Sequence, residues 1–250
     1  MSEMISRRSF LKVAGVSVVG AAAFGLTGCG GGGGGSSSTD TVYGVITDEQ
    51  LDRLGIPEVS DFSQLTNAQK ETLAQIVPVC NGVWFPLDDV SSVTAPSNVP
   101  LNQVIGENNE FVVLTYTVIN QSTNETVAFE RSATEFRSSL NNIMTAVAEA
   151  KDKTATAYQS KDFTVKYDGK TQPAISYGYV YTGKSGAGAV SENYSATSVA
   201  PKGQGAIKVC AIVPKGWSTL DVTYTPNIDK SKTFKYRVKS TDVDIDDDDE

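Results

Sequence analysis

The segment EFVVLTYTVINQSTNETVAFE (Glu110–Glu130) indicates the fold class more clearly than any other part of this 250-residue chain. Apolar residues occupy every second position in its first half, which is the period of a β-strand. These apolar residues are Val112, Leu114, Tyr116 and Val118. NQSTNE then predicts a turn and TVAFE a returning strand, so we expect a β-hairpin here.

The chain downstream of this segment predicts more β structure. Residues 162–183 predict a second pair of strands that turns at Asp168 and Gly169, a dipeptide typical of tight hairpins. Three further apolar runs predict strands: 205–216, 219–226 and 232–240. About seven or eight short strands joined mostly by turns predict a mainly β fold, an antiparallel immunoglobulin-like β-sandwich over residues 80–240.

Two regions of the chain predict helices. TDEQLDRLG and TNAQKETLAQIVP predict two short helices with N-caps at Thr47 and Thr66, which form a helical lead-in over residues 47–79. TEFRSSLNNIMTAVAEA, residues 134–150, carries apolar residues at helical spacing. It predicts one helix inserted between strands of the sandwich.

The N-terminus has the features of an export signal. Arg7 and Arg8 stand side by side in SRRSFLK, the pattern of twin-arginine export. The apolar stretch that follows, VAGVSVVGAAAFGL, is shorter than the ~20 residues that a membrane-spanning helix needs. We therefore predict that residues 1–28 are a signal peptide.

The signal ends in LTGC, which resembles the lipobox of bacterial lipoproteins. That resemblance implies a lipid on Cys29, the alternative being an unmodified cysteine. The glycines and serines of residues 30–40 predict a flexible tether with a reach of roughly 15–20 Å, and we assign residues 29–46 to the lipidated cysteine and tether. The expected location is the extracytoplasmic face of the cell membrane, with the lipid as anchor.

The C-terminus is strongly acidic. DVDIDDDDE begins like a calcium loop, but such a loop needs Gly at its sixth position, where this chain has Asp247. Dense like charges repel one another and bury little apolar surface. We therefore predict a disordered acidic tail over residues 241–250.

Composition excludes several classes of function. The chain has no histidine, which rules out Ser-His-Asp and Cys-His nucleophiles and most zinc sites. Without residues 1–28 its net charge is −10, so nucleic acid is not an expected partner. We expect no enzymatic activity, no metal and no cofactor.

Two cysteines remain after Cys29. Cys80 and Cys210 would meet an oxidising environment after export, so they are a candidate disulfide. The alternative is two separate buried thiols.

The stretch GYVYTGKS, residues 178–185, matches the phosphate-loop pattern G-x-x-x-x-G-K-[ST]. Its four variable positions are β-branched or aromatic, and a glycine-rich run follows where a phosphate loop needs a helix. We interpret the match as a β-strand and expect no nucleotide binding.

Three tyrosines alternate in the same stretch. Tyr177, Tyr179 and Tyr181 share one face of a strand and could form a stacking platform for sugar rings. The other face carries Ser176 and Gly178, which are small for a core. We therefore favour packing of the tyrosines into the sandwich over a ligand platform.

Two segments together carry a family resemblance. FVVLTYTVINQSTNETV and SVAPKGQGAIKVCAIVPKGWSTLDVTYTP resemble the telokin-like, immunoglobulin-like domain of small bacterial surface lipoproteins. That family is largely without assigned function and implies no catalytic residues. The sequence as a whole predicts a lipid-anchored protein-binding or adaptor module whose envelope partner is unknown. The alternative is a glycan- or cell-wall-binding module that uses the three tyrosines.

Overall fold

The computed structural model describes residues 41–57, 59, 62–92, 108–130, 160–184 and 190–245. Two β-sheets packed face to face form a β-sandwich, which confirms the predicted mainly β fold. Among these described residues the α-helices are α1 (Asp48–Arg53) and α2 (Asn67–Ala74), and 3₁₀ turns cover Phe62–Gln64 and Ser240–Asp242. No helix within the described residues has the length and hydrophobicity needed to span a bilayer.

The strands are β1 (Val42–Tyr43), β2 (Val79–Cys80), β3 (Val83–Trp84), β4 (Leu87–Ser92), β5 (Asn109–Asn120), β6 (Val127–Ala128), β7 (Phe163–Tyr167), β8 (Lys170–Thr171), β9 (Ala174–Lys184), β10 (Val190–Asn193), β11 (Ser198–Val199), β12 (Gln204–Pro214), β13 (Thr219–Tyr224), β14 (Phe234–Lys239) and β15 (Asp244–Ile245).

The two sheets differ in size. The smaller has five strands in the order β1-β14-β13-β7-β8. The larger has eight: β10-β9-β12-β5-β3-β2 form its main path, with β4 also paired to β5 and β15 to β4. Pairing is antiparallel except at β1–β14 and β15–β4, where the first and last described strands join the sheets. A small third sheet pairs β11 with β6.

The predicted hairpin over residues 110–130 does not form. β5 pairs over its whole length with β12 on one side and with β3 and β4 on the other. β6 pairs instead with β11. Both edges of β5 are therefore occupied by strands that are distant from it in sequence or precede it. The two-residue β6 has no free edge of β5 with which to pair.

The predicted second pair forms in part. β7 and β8 make a hairpin in which Asp168 and Gly169 adopt left-handed φ angles of 49° and 71°, as a tight two-residue turn requires. The chain then leaves this sheet and continues as β9 in the eight-stranded one. The strands predicted near the C-terminus are present as β12, β13 and β14.

Aromatic rings fill the centre of the sandwich. Phe163 and Tyr224 stack with their ring centroids 4.3 Å apart, and Tyr116 lies 4.9 Å from Tyr236. The Tyr236 hydroxyl donates a hydrogen bond to the Phe85 carbonyl at 2.9 Å. This bond satisfies a polar group that would otherwise be costly to bury.

The helical lead-in packs on the eight-stranded sheet through a second apolar cluster. Its two helices are capped by Thr47 and Thr66 as predicted. Phe62 meets Trp84 edge to face, with centroids 4.9 Å apart, and Ile119 completes the contact from β5. The lead-in therefore shares a core with the sandwich.

The folded part of the chain begins earlier and ends later than predicted. The tether was expected to extend to residue 46, but Val42–Tyr43 pair with β14 and Ile46 is buried. The disordered tail was expected from residue 241, but Val243 packs against the core and β15 pairs with β4. Unpaired backbone at two sheet edges accounts for both corrections.

The predicted disulfide is not formed: Cys80 and Cys210 are separate buried thiols. Cys80 faces the sandwich interior, whereas Cys210 does not belong to that cluster. Through the strand registers Cys80 aligns with Asn120 and Cys210 with Val113, at opposite ends of β5. That separation is roughly 23 Å along the strand, whereas a disulfide needs Cα atoms within about 7 Å.

Several predicted features lie outside the described residues. They are the export arginines Arg7 and Arg8, the lipidation site Cys29, and the inserted helix at 134–150.

Candidate interaction surface

Strand β9 contains both the phosphate-loop match and the three tyrosines. It runs without interruption from Ala174 to Lys184 and pairs with β12 on one side and β10 on the other. Residues 179–182, which a phosphate loop would wrap around its ligand, are ladder residues here. The interpretation of this match as a strand is confirmed.

The tyrosines lie on the outer face of the eight-stranded sheet. Gly178 of β9 pairs with Ile207, which belongs to the core between the sheets. The neighbouring positions point the other way, so Tyr177 and Tyr179 lie beside Lys208 and Ala206 outside that core. The prediction that they face inward is therefore wrong.

Phe129 explains why β9 has small residues on its inner side. A Cβ atom added to Gly178 would lie only 2.0 Å from the Phe129 ring. The ring therefore occupies the volume that a larger β9 side chain would need. Small side chains on one face of a strand can therefore face the core, because a large side chain from another segment fills the space beside them.

The outer tyrosines are nevertheless buried. Tyr179 is 3% exposed and Tyr181 8%, while Tyr177 is half-buried. Their rings form an aromatic cluster: Tyr179 and Tyr181 meet edge to face at 5.7 Å, and Tyr194 lies 4.9 Å from Tyr179. The Lys208 ammonium stands 5.9 Å from the Tyr179 ring.

Burial controls the electrostatics of this cluster. It raises the pKa of the Tyr179 and Tyr181 hydroxyls well above the ordinary value, because the phenolate would lose its solvation. Burial also raises the pKa of Tyr194 to about 12, and its hydrogen bond to the Glu192 carboxylate adds to the shift. All three hydroxyls are therefore protonated at neutral pH.

The burial of Tyr179 and Tyr181 argues against the alternative of a sugar platform, since stacking needs an accessible ring face. The exposed ring of the cluster is Tyr194, 41% accessible, which sequence reasoning did not single out. The sequence feature that could have indicated Tyr194 is its position directly after strand β10, in SENYS.

Tyr194 stands at the edge of the sheet. Among the described residues β10 pairs with β9 alone, so its other edge has no neighbouring strand. Asn193 accepts a hydrogen bond from the Ser195 backbone at 3.0 Å, which shapes the turn that carries Tyr194.

The first described residues of the chain lie on the opposite side of the sandwich. β1 pairs with β14 of the small sheet, and Val45 just after it bridges to Leu87 of the large sheet. This segment closes one lateral side. β7 lies against β9 on the other side, where β8 and β10 form the sheet edges.

A carboxylate beside the tyrosine strand fixes the chain on both sides of residues 131–159. Glu130 accepts hydrogen bonds from the Ser160 and Ser176 hydroxyls at 2.5 and 2.7 Å. It also accepts one from the Lys161 backbone at 2.7 Å. Charged acceptors make the stronger hydrogen bonds in proteins. Glu130 therefore holds its own segment against Ser160, Lys161 and Ser176.

The two segments that carry the family resemblance meet in the structure. The Asn120 side chain at the end of β5 donates to the carbonyls of Val199 and Ala200 at 3.2 and 3.0 Å. The Asn120 backbone N–H donates to the Gly203 carbonyl at 3.0 Å, in the turn formed by residues 201–203 (Pro-Lys-Gly). The two motifs therefore meet in one local contact.

The outer face of the five-stranded sheet is polar and exposed. Asp221 and Arg237 form a cross-strand ion pair on it, with Nε and Oδ1 2.9 Å apart. They also line an open depression of about 500 Å³ beside the β7–β8 turn, with Tyr167 and Thr219. No group of three or more metal-binding side chains occurs among the residues that the structure describes.

No protein-family model matches this chain, and no curated protein sequence matches it. Two solved structures are similar. A "putative lipoprotein" (ycdA) from Bacillus subtilis is 11% identical with a TM-score of 0.35, over 66% of this chain and 39% of that one. An uncharacterised β-sandwich protein from Clostridium difficile is 8% identical with a TM-score of 0.32, over 66% and 89%. At these TM-scores the likeness carries no inference about function.

Proposed function

We propose that this chain is a lipoprotein on the extracytoplasmic face of the cell membrane, and that it acts there as a protein-binding or adaptor module. The export arginines Arg7 and Arg8 and the lipobox cysteine Cys29 support the location. We infer binding rather than catalysis, because the sequence has no histidine and no motif of an activated nucleophile.

One observation carries the binding role: the β10 edge and the exposed Tyr194 lie together, on the side of the sandwich away from the first described strand. An open strand edge offers backbone donors and acceptors to an extended partner segment. Exposed tyrosine is enriched at protein–protein interfaces, where its ring buries apolar area and its hydroxyl stays hydrogen-bonded.

The binding role is tested by photo-crosslinking in native membranes. A photoreactive amino acid replaces Tyr194 in one version of the full chain and Val42 in another. These are the exposed large hydrophobic residues of the described chain, at 41% and 48%, on opposite sides of the sandwich. We expect a discrete protein adduct from position 194 and none from position 42.

A second version of this test controls for chance collisions. The photoreactive residue is placed at Ser195, with Tyr194 either kept or changed to Ala. The proposal predicts that Tyr194→Ala removes the adduct. Adducts that are unchanged by this substitution, or that form equally at position 42, would contradict it.

The anchor is tested separately by Cys29→Ala. Fatty-acid labelling and membrane fractionation should show a labelled, membrane-bound native chain and an unlabelled variant. A native chain without label would refute the lipid anchor and leave the binding test unaffected.

A further inference from the structure

The outer face of the five-stranded sheet carries an excess of positive charge. Four exposed cations project from its strands β7, β13 and β14 together with one exposed acid, and the exposed Asp168 of the β7–β8 turn lies at its margin. We call this set the basic face: Lys166, Lys235, Arg237, Lys239 and Asp221.

Strand alternation builds the basic face. In β14 the apolar Tyr236 and Val238 point into the core, so Lys235, Arg237 and Lys239 all point outward. The register places Asp221 of β13 between Arg237 of β14 and Lys166 of β7. Neighbouring strands lie ~4.8 Å apart, so the cations form one continuous patch.

This patch contrasts with the rest of the protein. The chain without residues 1–28 has a net charge of −10, whereas the basic face has four cations against one acid. The face therefore presents a positive potential on one side only.

The basic face also adjoins the chain's anchored end. Val42 of β1 pairs with Lys235 and shares its outward side, with 48% exposure. The predicted tether, residues 30–40, directly precedes this strand. With a reach of roughly 15–20 Å it would hold the face within about two Debye lengths of the bilayer.

We infer that the basic face docks on the bilayer surface, through contacts of its lysines and arginine with the phosphates of anionic phospholipids. The inference rests on the proposed lipid attachment at Cys29. A lipid chain and a patch of basic residues are two membrane signals that reinforce each other. Docking would turn the opposite, tyrosine-bearing side away from the membrane.

The test uses the full lipidated chain in vesicles of equal parts phosphatidylglycerol and phosphatidylcholine, or of phosphatidylcholine alone. A photoreactive residue replaces Thr223, which lies between Lys235 and Thr164 on the basic face. We expect roughly tenfold more lipid adduct in the anionic vesicles. The excess should disappear at high salt.

A charge-reversed variant tests which residues are responsible. Lys235→Glu, Arg237→Glu and Lys239→Glu together should reduce the adduct to the level of neutral vesicles. The matched control changes Arg53, Lys161 and Lys215 to Glu, which alters net charge equally at exposed positions elsewhere. If the reversed variant does not fold by circular dichroism, the corresponding triple Gln variant replaces it.

Three outcomes would overturn the inference: equal adducts in both kinds of vesicle, an equal effect of the control variant, or face-dependent binding to purified anionic wall polymer without any to vesicles. Intact-mass measurement reports first whether Cys29 carries lipid. A chain without lipid refutes the anchor alone, because its partitioning between the two kinds of vesicle still tests the basic face.

Discussion

Side chains alternate between the inner and outer faces in both sheets of the sandwich. The outward side chains are exposed on one sheet and buried on the other. On the five-stranded sheet the outward residues are Lys235, Arg237 and Lys239, all exposed. On the eight-stranded sheet Tyr179 and Tyr181 project outward and are almost fully buried. An outward position is therefore not the same as an exposed one.

This difference separates two kinds of role. The buried tyrosines contribute to stability and support Tyr194 at the rim of their cluster. The basic face contributes little to stability and is available for electrostatic contacts. Substitutions on the two faces should therefore have unequal effects on unfolding, and four predictions test this from the largest effect to the smallest.

Tyr179→Ala should lower the free energy of unfolding most. It removes a ring that is 3% exposed and leaves a cavity, which typically costs about 3–5 kcal/mol. Chemical denaturation measures the change. The matched substitution on the basic face, Lys166→Ala, should stay within roughly 0.5 kcal/mol. Similar values for the two variants would contradict the contrast between the faces.

The sequence was sufficient for several of the longer strands and insufficient for the direction in which their faces point. Alternation in KTFKYRVKS and SYGYVY predicted β14, β9 and which residues share a side. It could not show which side faces the core, because Phe129 fills the space opposite Gly178 from another segment. Strand partners such as β5 and β12 likewise depend on contacts between distant residues.

The two proposed surfaces were predictable only in part. The spacing of Lys235, Arg237 and Lys239 was visible in the sequence as a basic, alternating set. Its meaning depends on β13 and β7, which place Asp221 and Lys166 beside it. The buried state of Tyr181 and the separation of Cys80 from Cys210 needed the three-dimensional structure.

Gly178→Ala should have the next largest effect, because its Cβ would overlap the Phe129 ring at 2.0 Å. Overpacking of this kind costs about 1–3 kcal/mol. Gly44→Ala is the control, since its Cβ would meet the Arg237 carbonyl at an ordinary 3.6 Å. Adding Phe129→Leu should restore part of the loss in a double-mutant cycle. No rescue would show that Phe129 is not the obstacle.

Alkaline pH should act on the tyrosine side through Cys210. Burial raises the pKa of this thiol from 9.0 to about 12, against a smaller opposing effect of Lys208. The protonated thiol is thus favoured by folding, so its contribution is complete below pH 9 and is lost as pH rises towards 12. By pH 10 the loss should be roughly 1–1.5 kcal/mol.

Denaturation curves at pH 8 and pH 10 measure this loss, with Cys210→Ala as the comparison. The variant should show a smaller decrease between the two values of pH. An identical decrease would mean that Cys210 is not the titrating group.

Arg237→Ala should have the smallest effect of the four. It breaks an exposed ion pair with Asp221, and such pairs contribute about 0.2–1 kcal/mol. The loss should shrink further in high salt. A loss above 2 kcal/mol, unaffected by salt, would show that the basic face is part of the packed structure.

The most direct test of the contrast between the faces is amine labelling of the full chain, in native membranes and in neutral detergent, with mass spectrometry of each lysine. We predict that Lys166, Lys235 and Lys239 react several-fold less in membranes than in detergent, while Lys161 and Lys215 react equally in both. Equal labelling of all five lysines in the two conditions would contradict it.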